Sequence, residues 1–429
     1  MLRDRGSKFL AVVCSFFLLS LAGGCGHSNK TVLRCTGWGD TEEARILQAI
    51  VGDFQKAHPG VEVRFERAPY GEYITKVLTL FSAGSAPDVM AVNAEQMVAF
   101  ASRGALLDLG PYVDKDPSIQ MKDFYPEAIR HYTYRGALTA LPRDIAPVAC
   151  IYYNKKAFDE AGLPYPKNDW DYQQFLADAQ KLTLKDDQGN IKRFGFVDEW
   201  TAWDAWVYAF GGSLVDDLDH PTRCTLDSPR AAAGVQFRGD LMTKYHVSPS
   251  PSNLTAMGAM GSSDMFVNKT AAMFFSGIWR TPQFREIKDF DWDVVEFPKG
   301  PHGHRGFPLS AAGYGIVKGT KNADLAYELV KYLAGEVGQR YMAATGLTQP
   351  ALKTLAKSPV FLDGKPPKSK GFLVDAVKDG TFQPVDPNIN EWYNSWAVPA
   401  LDKVWSGKET AARVLSELTA SINRKFYKK

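Results

Sequence analysis

The stretch that decides the fold is residues 31–68, which read TVLRCTGWGDTEEARILQAIVGDFQKAHPGVEVRFERA. Its middle predicts an amphipathic helix, because apolar residues recur at i, i+3, i+4 and i+7 from Leu47 to Phe54. Asp40, with a carboxylate three positions further on, is a capping signal for the start of this helix. The helix ends before Gly60, and apolar residues then alternate with charged ones as in a strand. The stretch therefore predicts a strand, a helix and a second strand.

The same alternation continues along the chain. A helix is predicted near residues 71–82, a short apolar strand over 88–92 and a further helix over 95–103. The second half contains more helix, and its clearest predicted helices are Trp170–Leu182 with Asp169 as cap, Pro229–Tyr245 with Ser228 as cap, and Ile389–Trp405. This order predicts α/β domains built on mainly parallel sheets.

Length and composition narrow the classes of protein. A chain of 429 residues predicts two to four folding units, and 45% hydrophobic with 23% charged residues is typical of globular proteins. The formal net charge is only +2, so the chain has no overall field that would hold it on nucleic acid, and no nucleic-acid partner is expected. Aromatic residues make up 12% of the chain, which is more than core packing is expected to require.

The first residues form an export signal. Basic residues within the first eight positions precede the uncharged run 9–22, which is short for a bilayer-spanning helix but suits a signal peptide, predicted here as residues 1–24. The small residues before Cys25 resemble a bacterial lipobox, although Ala22 stands where that pattern prefers leucine. Lipidation of Cys25 would anchor an extracytoplasmic protein to the bacterial membrane. A plain secreted protein and an uncleaved anchor remain as alternatives.

Sequence motifs give no indication of a metal or redox centre. After removal of the signal, the cysteines are Cys35, Cys150 and Cys224, which include no CxxC pair and allow one disulfide at most. Their apolar surroundings predict buried thiols. His302 and His304 are close in sequence, but they stand in a turn-like segment and are interpreted as solvated.

Catalytic motifs are equally lacking in the sequence. We find no G-x-S-x-G elbow, phosphate-binding loop, H-E-x-x-H or dinucleotide fingerprint, so no catalytic residue, cofactor or metal is predicted. The motif search does not exclude a glycosidase, because the two catalytic carboxylates of such an enzyme leave no compact signature in a sequence.

Aromatic and polar residues gather where predicted strands end. After the first three strands these residues are Trp38, Asp40, Tyr70, Asn93 and Glu95. Later in the chain they are Glu199, Trp200, Trp279, Arg280 and Trp392. Ligands of open α/β sheets bind outside the carboxyl ends of strands, and flat rings with carboxylates suit the C–H faces and hydroxyls of a sugar. Each of these residues also has a purely structural interpretation. A tryptophan can pack in the core, Asp40 can simply cap its helix, and Glu199 can be a solvated loop residue.

Several segments also carry a family resemblance. They are FQKAHPGVEV (54–63), GSAPDV (84–89), GALLDL (104–109), YYNK (152–155), AAM (271–273) leading to GIW (277–279), and GYGI (313–316). In this order and spacing, the mature chain resembles family 1 extracellular solute-binding proteins over nearly its whole length. These are the carbohydrate-type binding subunits of bacterial ABC importers, similar to the maltose-binding and glycerol-phosphate-binding proteins.

The resemblance implies a fold with two α/β lobes, three hinge crossings and a C-terminal helical extension, the periplasmic-binding-protein-like fold. Mapped onto this chain, lobe 1 is 31–144 and 311–346, and lobe 2 is 149–306 and 351–429. The implied crossings are Ile145–Val148, Phe307–Ser310 and Leu347–Pro350.

The resemblance further implies a binding protein and not an enzyme. The family's ligand contacts carry over to Trp38, Tyr70, Glu95, Asp144, Glu199, Trp279 and Trp392. Two departures limit the transfer, because Arg143-Asp144 is a charge pair where many relatives have small polar residues, and no aromatic residue stands beside Asn93. The implied function is capture of a sugar by hinge closure and delivery to the transmembrane subunits of an ABC permease, by a monomer anchored through its lipid. A secreted glycoside hydrolase or lyase and a surface adhesion or scaffold protein remain as alternatives.

Overall fold

The computed structural model describes residues 30–39, 41–199, 203–256 and 261–428. The predicted signal peptide, the predicted lipidation site Cys25, and the candidate site residues Asp40 and Trp200 lie outside the described residues. The strands are β1 Thr31–Trp38, β2 Val61–Ala68, β3 Val89–Asn93, β4 Thr133–Tyr134, β5 Ala137–Leu138, β6 Leu141–Pro142, β7 Ala146–Pro147, β8 Cys150–Asn154, β9 Leu184–Lys185, β10 Ile191–Asp198, β11 Ala271–Ser276, β12 Trp292–Glu296, β13 Phe307–Ser310, β14 Ala312–Ile316 and β15 Gly380–Thr381.

The α-helices lie between and after these strands. They are α1 Thr41–Ala57, α2 Tyr70–Ser82, α3 Ala94–Ala101, α4 Gly110–Val113, α5 Pro126–Tyr132, α6 Lys155–Glu160, α7 Tyr172–Leu182, α8 Trp203–Ala209, α9 Pro229–Thr243, α10 Pro251–Ala256, α11 Ser262–Val267, α12 Thr281–Phe284, α13 Ala323–Ala334, α14 Glu336–Thr345, α15 Lys353–Ala356, α16 Leu373–Ala376, α17 Val398–Trp405 and α18 Ala411–Phe426. Within the described ranges, no helix combines the length and the apolar character needed to cross a membrane.

The first sheet is built on the stretch that opens the mature chain. Its strand order is β2-β1-β3-β14-β6, with β1 parallel to both β2 and β3 and with β14 antiparallel to β3 and β6. The predicted helix of this stretch is confirmed as α1, whose residues Leu47, Ile50 and Phe54 are buried on the sheet. Charge also favours the helix, because Glu42 and Glu43 lie in its first turn and Lys56 lies in its last turn.

The second sheet has the order β12-β8-β11-β10-β9 and its own hydrophobic core. Only β10 and β11 are parallel, while β8 runs antiparallel to both β11 and β12, and β9 is antiparallel to β10. The expectation of mainly parallel sheets is therefore wrong for this half of the molecule. Alternation of strands and helices along a sequence indicates the class of fold, but it does not reveal the direction in which a strand enters its sheet.

A small sheet lies on the path between the two large ones. The chain leaves the first sheet through β7, returns through β13, and these two strands pair antiparallel with Ala146 opposite Ser310. β15 completes this sheet in the order β15-β13-β7, and the Ile145 N–H donates to the Gln349 carbonyl at 3.1 Å. Three chain passages therefore run side by side between the two large sheets.

The C-terminal helices form a third hydrophobic cluster. α17 and α18 pack on α9, and Trp203, Trp392 and Trp405 are buried among these helices. The expectation of one continuous helix over 389–405 is only partly right, because residues Glu391–Ala397 are π-helical and α17 begins after them. Pro399 lies in the first turn of α17 and has no N–H, so a regular hydrogen-bond ladder cannot pass through it.

The structure confirms most of the predicted helix caps and buried thiols. The Ser228 hydroxyl accepts from the Ala231 N–H, which confirms Ser228 as the cap of α9. For α7 the predicted cap Asp169 is wrong, because Asp171 instead accepts from two backbone N–H groups at 3.0 and 2.9 Å. The cysteines at 35, 150 and 224 are buried and free, as expected for apolar surroundings.

Candidate ligand-binding site

Aromatic side chains line the carboxyl edge of the first sheet. Trp38 ends β1 and Asn93 ends the parallel strand β3, so both lie at the same edge. The Trp38 ring is 7% exposed and packs edge-on against Tyr70 and Tyr73, with ring centroids 5.7 and 5.2 Å apart. Trp38 therefore serves as a fixed wall, and its neighbour Tyr70 presents the exposed aromatic surface.

Tyr70 is the exposed aromatic residue at the edge of the first sheet. Its side chain is 47% exposed, and its hydroxyl accepts from the Asn93 amide at 3.0 Å. The pKa of Tyr70 nevertheless lies well above its ordinary value, because of burial first and of the charges of Glu95 and Glu199 next.

Glu95 is held at the start of α3. The Asn93 side chain caps this helix by accepting from the Glu95 N–H at 3.0 Å, and Glu95 Oε1 accepts from the Ser310 hydroxyl at 2.8 Å. The second carboxylate oxygen, Oε2, is buried and has no hydrogen-bond donor among the described residues. Burial raises the pKa of Glu95 to about 7, against the opposing effect of its hydrogen bonds.

Asp144 forms part of a buried charge network beneath Trp38. Its Oδ1 accepts from the Ala312 N–H at 2.7 Å, and its Oδ2 accepts from Arg143 at 3.1 Å. Arg143 also donates to Glu43 at 2.8 Å and lies 5.5 Å from the centroid of the Trp38 ring. The Arg143-Asp144 charge pair, which departs from the family pattern, therefore packs against the Trp38 ring and stabilises its position. A direct contact between Asp144 and ligand stays a prediction.

Glu199 and Arg280 form one unit at the edge of the second sheet. Glu199 follows β10, and its N–H donates to the Phe275 carbonyl of β11 at 3.1 Å. Its carboxylate accepts from Arg280 Nε at 2.7 Å and lies 2.5 Å from Arg280 Nη2. A charge-assisted pair of this geometry fixes both side chains, and both contacts are made through Oε1 of Glu199.

Trp279 connects the two halves of the molecule. It lies in a short 3-10 turn after β11, is half-buried, and packs against apolar residues of both hydrophobic cores. A Cβ atom on Gly277 would come within 1.9 Å of the Trp279 ring, so the glycine is what allows the indole to fold back over the strand end. No other predicted site residue packs against both cores within the described ranges.

Trp392 is not brought to the open surface with the others. Its side chain is fully buried within the π-helical segment, and its indole N–H donates to Asp386 at 3.3 Å. Stacking on a sugar requires an exposed ring face, so a contact between Trp392 and ligand stays a prediction that needs local rearrangement. The structure thus groups Trp38, Tyr70, Asn93 and Glu95 at one sheet edge and Glu199, Trp279 and Arg280 at the other.

Sequence reasoning missed Asp204. This residue lies in α8, is 2% exposed, and its Oδ1 has no hydrogen-bond donor among the described residues. Burial raises the pKa of Asp204 to about 7, the negative charge of Glu95 adds to this effect, and a hydrogen bond from Tyr393 opposes it. The signal in the sequence is a single carboxylate within the otherwise apolar run WDAWVYAF, residues 203–210.

The arrangement can bind groups that donate hydrogen bonds. Glu95 Oε2 and Asp204 Oδ1 are buried and have no hydrogen-bond donor among the described residues, so a donor group that reaches either atom is favoured, because leaving it unpaired is costly. Among the described residues, no group of three or more His, Cys, Asp or Glu side chains is arranged to hold a metal ion. Hydroxyl donors beside aromatic walls are the chemistry that this site fits best.

Comparison with known proteins agrees with this chemistry. The model of the bacterial extracellular solute-binding protein family matches residues 38–340. A galactooligosaccharide-binding protein of Bacillus subtilis (strain 168) is 24% identical over 95% of this chain and 94% of its own length.

Solved structures are similar in fold. An ABC substrate-binding protein of Listeria monocytogenes in complex with cycloalternan has a TM-score of 0.84 at 24% identity, covering 93% of this chain and 100% of that chain. The maltose-maltodextrin binding protein of Alicyclobacillus acidocaldarius has a TM-score of 0.76 at 21% identity, covering 92% and 100%. These likenesses confirm the predicted two-lobed α/β fold.

Proposed function

The chain belongs to the family of bacterial extracellular solute-binding proteins, and from this membership we propose that it captures a sugar between its two sheets for import. The observation that carries the proposal is the position of Trp279, whose ring packs against both hydrophobic cores beside the two sheet edges. A sugar seated on this ring would touch both halves of the molecule at once.

The proposed mechanism is a hinge. In this proposal, the first lobe consists of residues 31–144 and 311–346, and the second lobe consists of residues 149–306 and 351–429. The small sheet of β7, β13 and β15 lies between the two lobes. A sugar that contacts one lobe in the open form and both lobes in the closed form shifts the equilibrium by its differential affinity. The closed complex is then recognised by the transmembrane subunits of an ABC permease.

Each side chain of the site has a proposed role. Tyr70 and Trp279 pack against the C–H faces of sugar rings, while Trp38 fixes the orientation of Tyr70. Glu95 and Glu199 accept hydrogen bonds from hydroxyls, and Arg280 donates to ring or hydroxyl oxygens. The remaining proposed contacts are Asp40, Asn93, Asp144, Trp200 and Trp392.

The names of two relatives support a sugar as the solute. The Bacillus subtilis relative is named for binding galactooligosaccharide, and a 26% identical protein of Pyrococcus abyssi is named for binding maltotriose. An oligosaccharide therefore comes first in the screen, and monosaccharides come second.

The test is a thermal-shift screen of the purified protein against neutral mono-, di- and oligosaccharides. At one hundred times its Kd a ligand stabilises the folded state by about 2.7 kcal/mol, so a true ligand raises the melting temperature measurably. Tryptophan fluorescence then reports whether the site changes on binding. The proposal fails if no sugar in the panel raises the melting temperature at millimolar concentration.

A secreted glycoside hydrolase is the second candidate, and one observation favours it. Glu95 and Asp204 are two buried carboxyls with pKa values of about 7, and a carboxylic acid of raised pKa is the general acid of a glycosidase, where it acts beside an ionised carboxylate. We propose binding without turnover, so the sugar that raises the melting temperature is recovered unchanged by chromatography after overnight incubation. Cleavage at catalytic rates, lost in Glu95→Gln, would support the enzyme instead.

The proposed location is extracytoplasmic, with the chain anchored to the bacterial membrane by lipid on Cys25. The support is the export signal and the lipobox-like segment that precedes this cysteine. Expression with radiolabelled palmitate should label the wild-type chain, and Cys25→Ala should remove the label and release the protein from the membrane fraction. Label that remains in Cys25→Ala would exclude this anchor.

A further inference from the structure

Two segments of the proposed second lobe reach across to helices of the first lobe. They are the loop 216–223 and the segment 382–390, and we call the two together the clasp. The Val385 N–H donates to the Leu218 carbonyl at 2.7 Å, which joins the two segments to each other. The clasp is therefore one connected unit, although its two parts are distant in the sequence.

An exposed ion pair connects the clasp to α5 of the first lobe. Arg130 Nη2 donates to both carboxylate oxygens of Asp219, at 2.6 and 2.5 Å, and the two side chains are 68% and 48% exposed. Asp219 is held in place within its own loop, because its N–H donates to Asp217 Oδ1 at 2.8 Å. Since neither member of the pair is buried, the pair can form and break without exposing a hydrophobic core.

Two further contacts connect the clasp to the first lobe. The Asn390 amide donates to the backbone carbonyl of Glu95 at 3.0 Å, at the start of α3. The Phe382 ring stacks on the His131 ring of α5, with centroids 4.2 Å apart and planes inclined by 18°. The helices α3 and α5 pack on each other, so the clasp holds one connected part of the first lobe.

The position of each contact decides whether a hinge motion would break it. Phe382 directly follows β15, which pairs with β13 in the small sheet between the lobes, so its stack on His131 lies next to the hinge. Asn390 and the loop 216–223 lie outside that sheet. A rotation moves atoms little near its axis and more at a distance from it. We therefore expect opening of the lobes to separate Asn390 from α3 and the loop 216–223 from α5.

The strength of an exposed ion pair suits a contact that must form and break. Such a pair changes an equilibrium constant by about two- to fivefold. In an equilibrium between open and closed forms, a change of this size passes directly into the apparent affinity for a ligand of the closed form. The pair can therefore matter for binding although it matters little for unfolding.

We propose that Arg130, Asp219 and Asn390 are positioning residues that hold the two lobes together in the closed form and so prolong the residence of a bound sugar. None of the three is a proposed sugar contact. The proposal rests on the proposed function, because it requires the hinge, and it adds the contacts that determine how long the closed form lasts.

The first test reverses the charge of Arg130 in the full chain. The probe is maltotriose, and 4-galactosyllactose replaces it if maltotriose gives no thermal shift. In Arg130→Asp we expect the dissociation rate constant, measured by stopped-flow tryptophan fluorescence, to rise at least about twofold. The association rate constant should not change, because the sugar first meets the open form. The swapped variant Arg130→Asp/Asp219→Arg should restore the wild-type dissociation rate, which a general loss of structure would not allow.

The second test needs no sugar. Small-angle X-ray scattering of the sugar-free protein should give a larger radius of gyration for Arg130→Asp than for the wild type, because two carboxylates then repel each other across the lobes. The swapped variant should return the radius to the wild-type value. If neither sugar binds, the proposed function fails, while the scattering still tests the clasp.

A matched control separates the clasp from ion pairs in general. Lys269 pairs with Asp289 within the second lobe, and these side chains are 50% and 57% exposed, so Lys269→Asp should leave both measurements unchanged. If the melting temperature shows that Arg130→Asp does not fold, Asp219→Asn takes its place. A change in either measurement that the swapped variant restores supports the proposal. The proposal is overturned if Arg130→Asp equals the wild type in both measurements, if the swapped variant restores nothing, or if Lys269→Asp has the same effect.

Discussion

Trp279 is the single side chain on which the proposed sugar site most depends. Its indole packs against both cores, and Gly277 gives the ring the room to fold over the end of β11. Because the ring is only half-buried, its removal deletes a binding surface without emptying a core.

We predict that Trp279→Ala weakens binding of the sugar found in the screen at least tenfold, or about 1.4 kcal/mol. Calorimetry measures the affinity, and the melting temperature without ligand checks the fold. The matched control is Trp396→Ala, because Trp396 is also half-buried but packs against Phe426, away from the site. Equal affinities for the wild type and Trp279→Ala would contradict the assigned role.

Asp204 should make the stability of the protein depend on pH. Its native pKa of about 7 lies above the ordinary value of a carboxyl, so the native state binds the proton more tightly than the unfolded state does. The stabilisation is fully present below about pH 4, where both states are protonated, and is lost as the pH rises towards and through 7. Glu95, with its raised pKa, acts in the same direction.

We therefore predict that Asp204→Asn increases the free energy of unfolding at pH 8 by roughly 2–4 kcal/mol and changes it little at pH 4. Denaturant unfolding at the two pH values measures the difference. Asp187→Asn serves as the control, because Asp187 lies in an exposed turn. This variant should change the free energy of unfolding by the same amount at both pH values. A destabilised Asp204→Asn at pH 8 would contradict this prediction and would show that the carboxylate is stabilised by more than the Tyr393 hydrogen bond.

At the scale of elements, α8 and α9 are packed backbone to backbone. A Cβ atom on Gly234 of α9 would come within 2.2 Å of the Trp206 carbonyl oxygen of α8. This approach matters beyond stability, because α8 carries the buried carboxyl of Asp204. The glycine therefore sets the position of α8 relative to its neighbour.

We predict that Gly234→Ala lowers the free energy of unfolding by about 1–3 kcal/mol, since the added methyl group must push the two helices apart. The control is Gly52→Ala in α1, where no atom lies within 4 Å of the added carbon and where alanine favours the helix. Thermal unfolding of both variants distinguishes the effect of close packing from that of a helical glycine. Equal stability of Gly234→Ala and the wild type would mean that the two helices can separate without cost.

At the scale of the whole molecule, two sheets with separate cores are linked by three neighbouring chain passages. We predict that the sugar identified in the screen reduces the radius of gyration measured by small-angle X-ray scattering, because closure brings the two cores together. A sugar that leaves the melting temperature unchanged is the control and should leave the scattering unchanged. Tight binding with no change in scattering would indicate a rigid site and would contradict the hinge.

Local patterns in the sequence predict much of the fold. The spacing of apolar residues from Leu47 to Phe54 specifies α1, and Ser228 specifies the start of α9, since both depend only on residues within a few positions. The choice between Asp169 and Asp171 as the cap of α7 is decided by which side chain reaches the backbone N–H groups, and the sequence alone does not fix that geometry.

By itself, the sequence determined the fold class, the family resemblance and the residue types of the site, because periodicity, capping and motif order are local properties of the chain. Only the tertiary structure decided that β8 runs antiparallel to its neighbours, that Trp392 is buried and that Trp279 touches both cores. It alone also showed that Asp204 is buried, with an oxygen that has no hydrogen-bond donor among the described residues. The physical reason is that desolvation and contact depend on residues distant in the chain, whose distances from one another only the folded backbone sets.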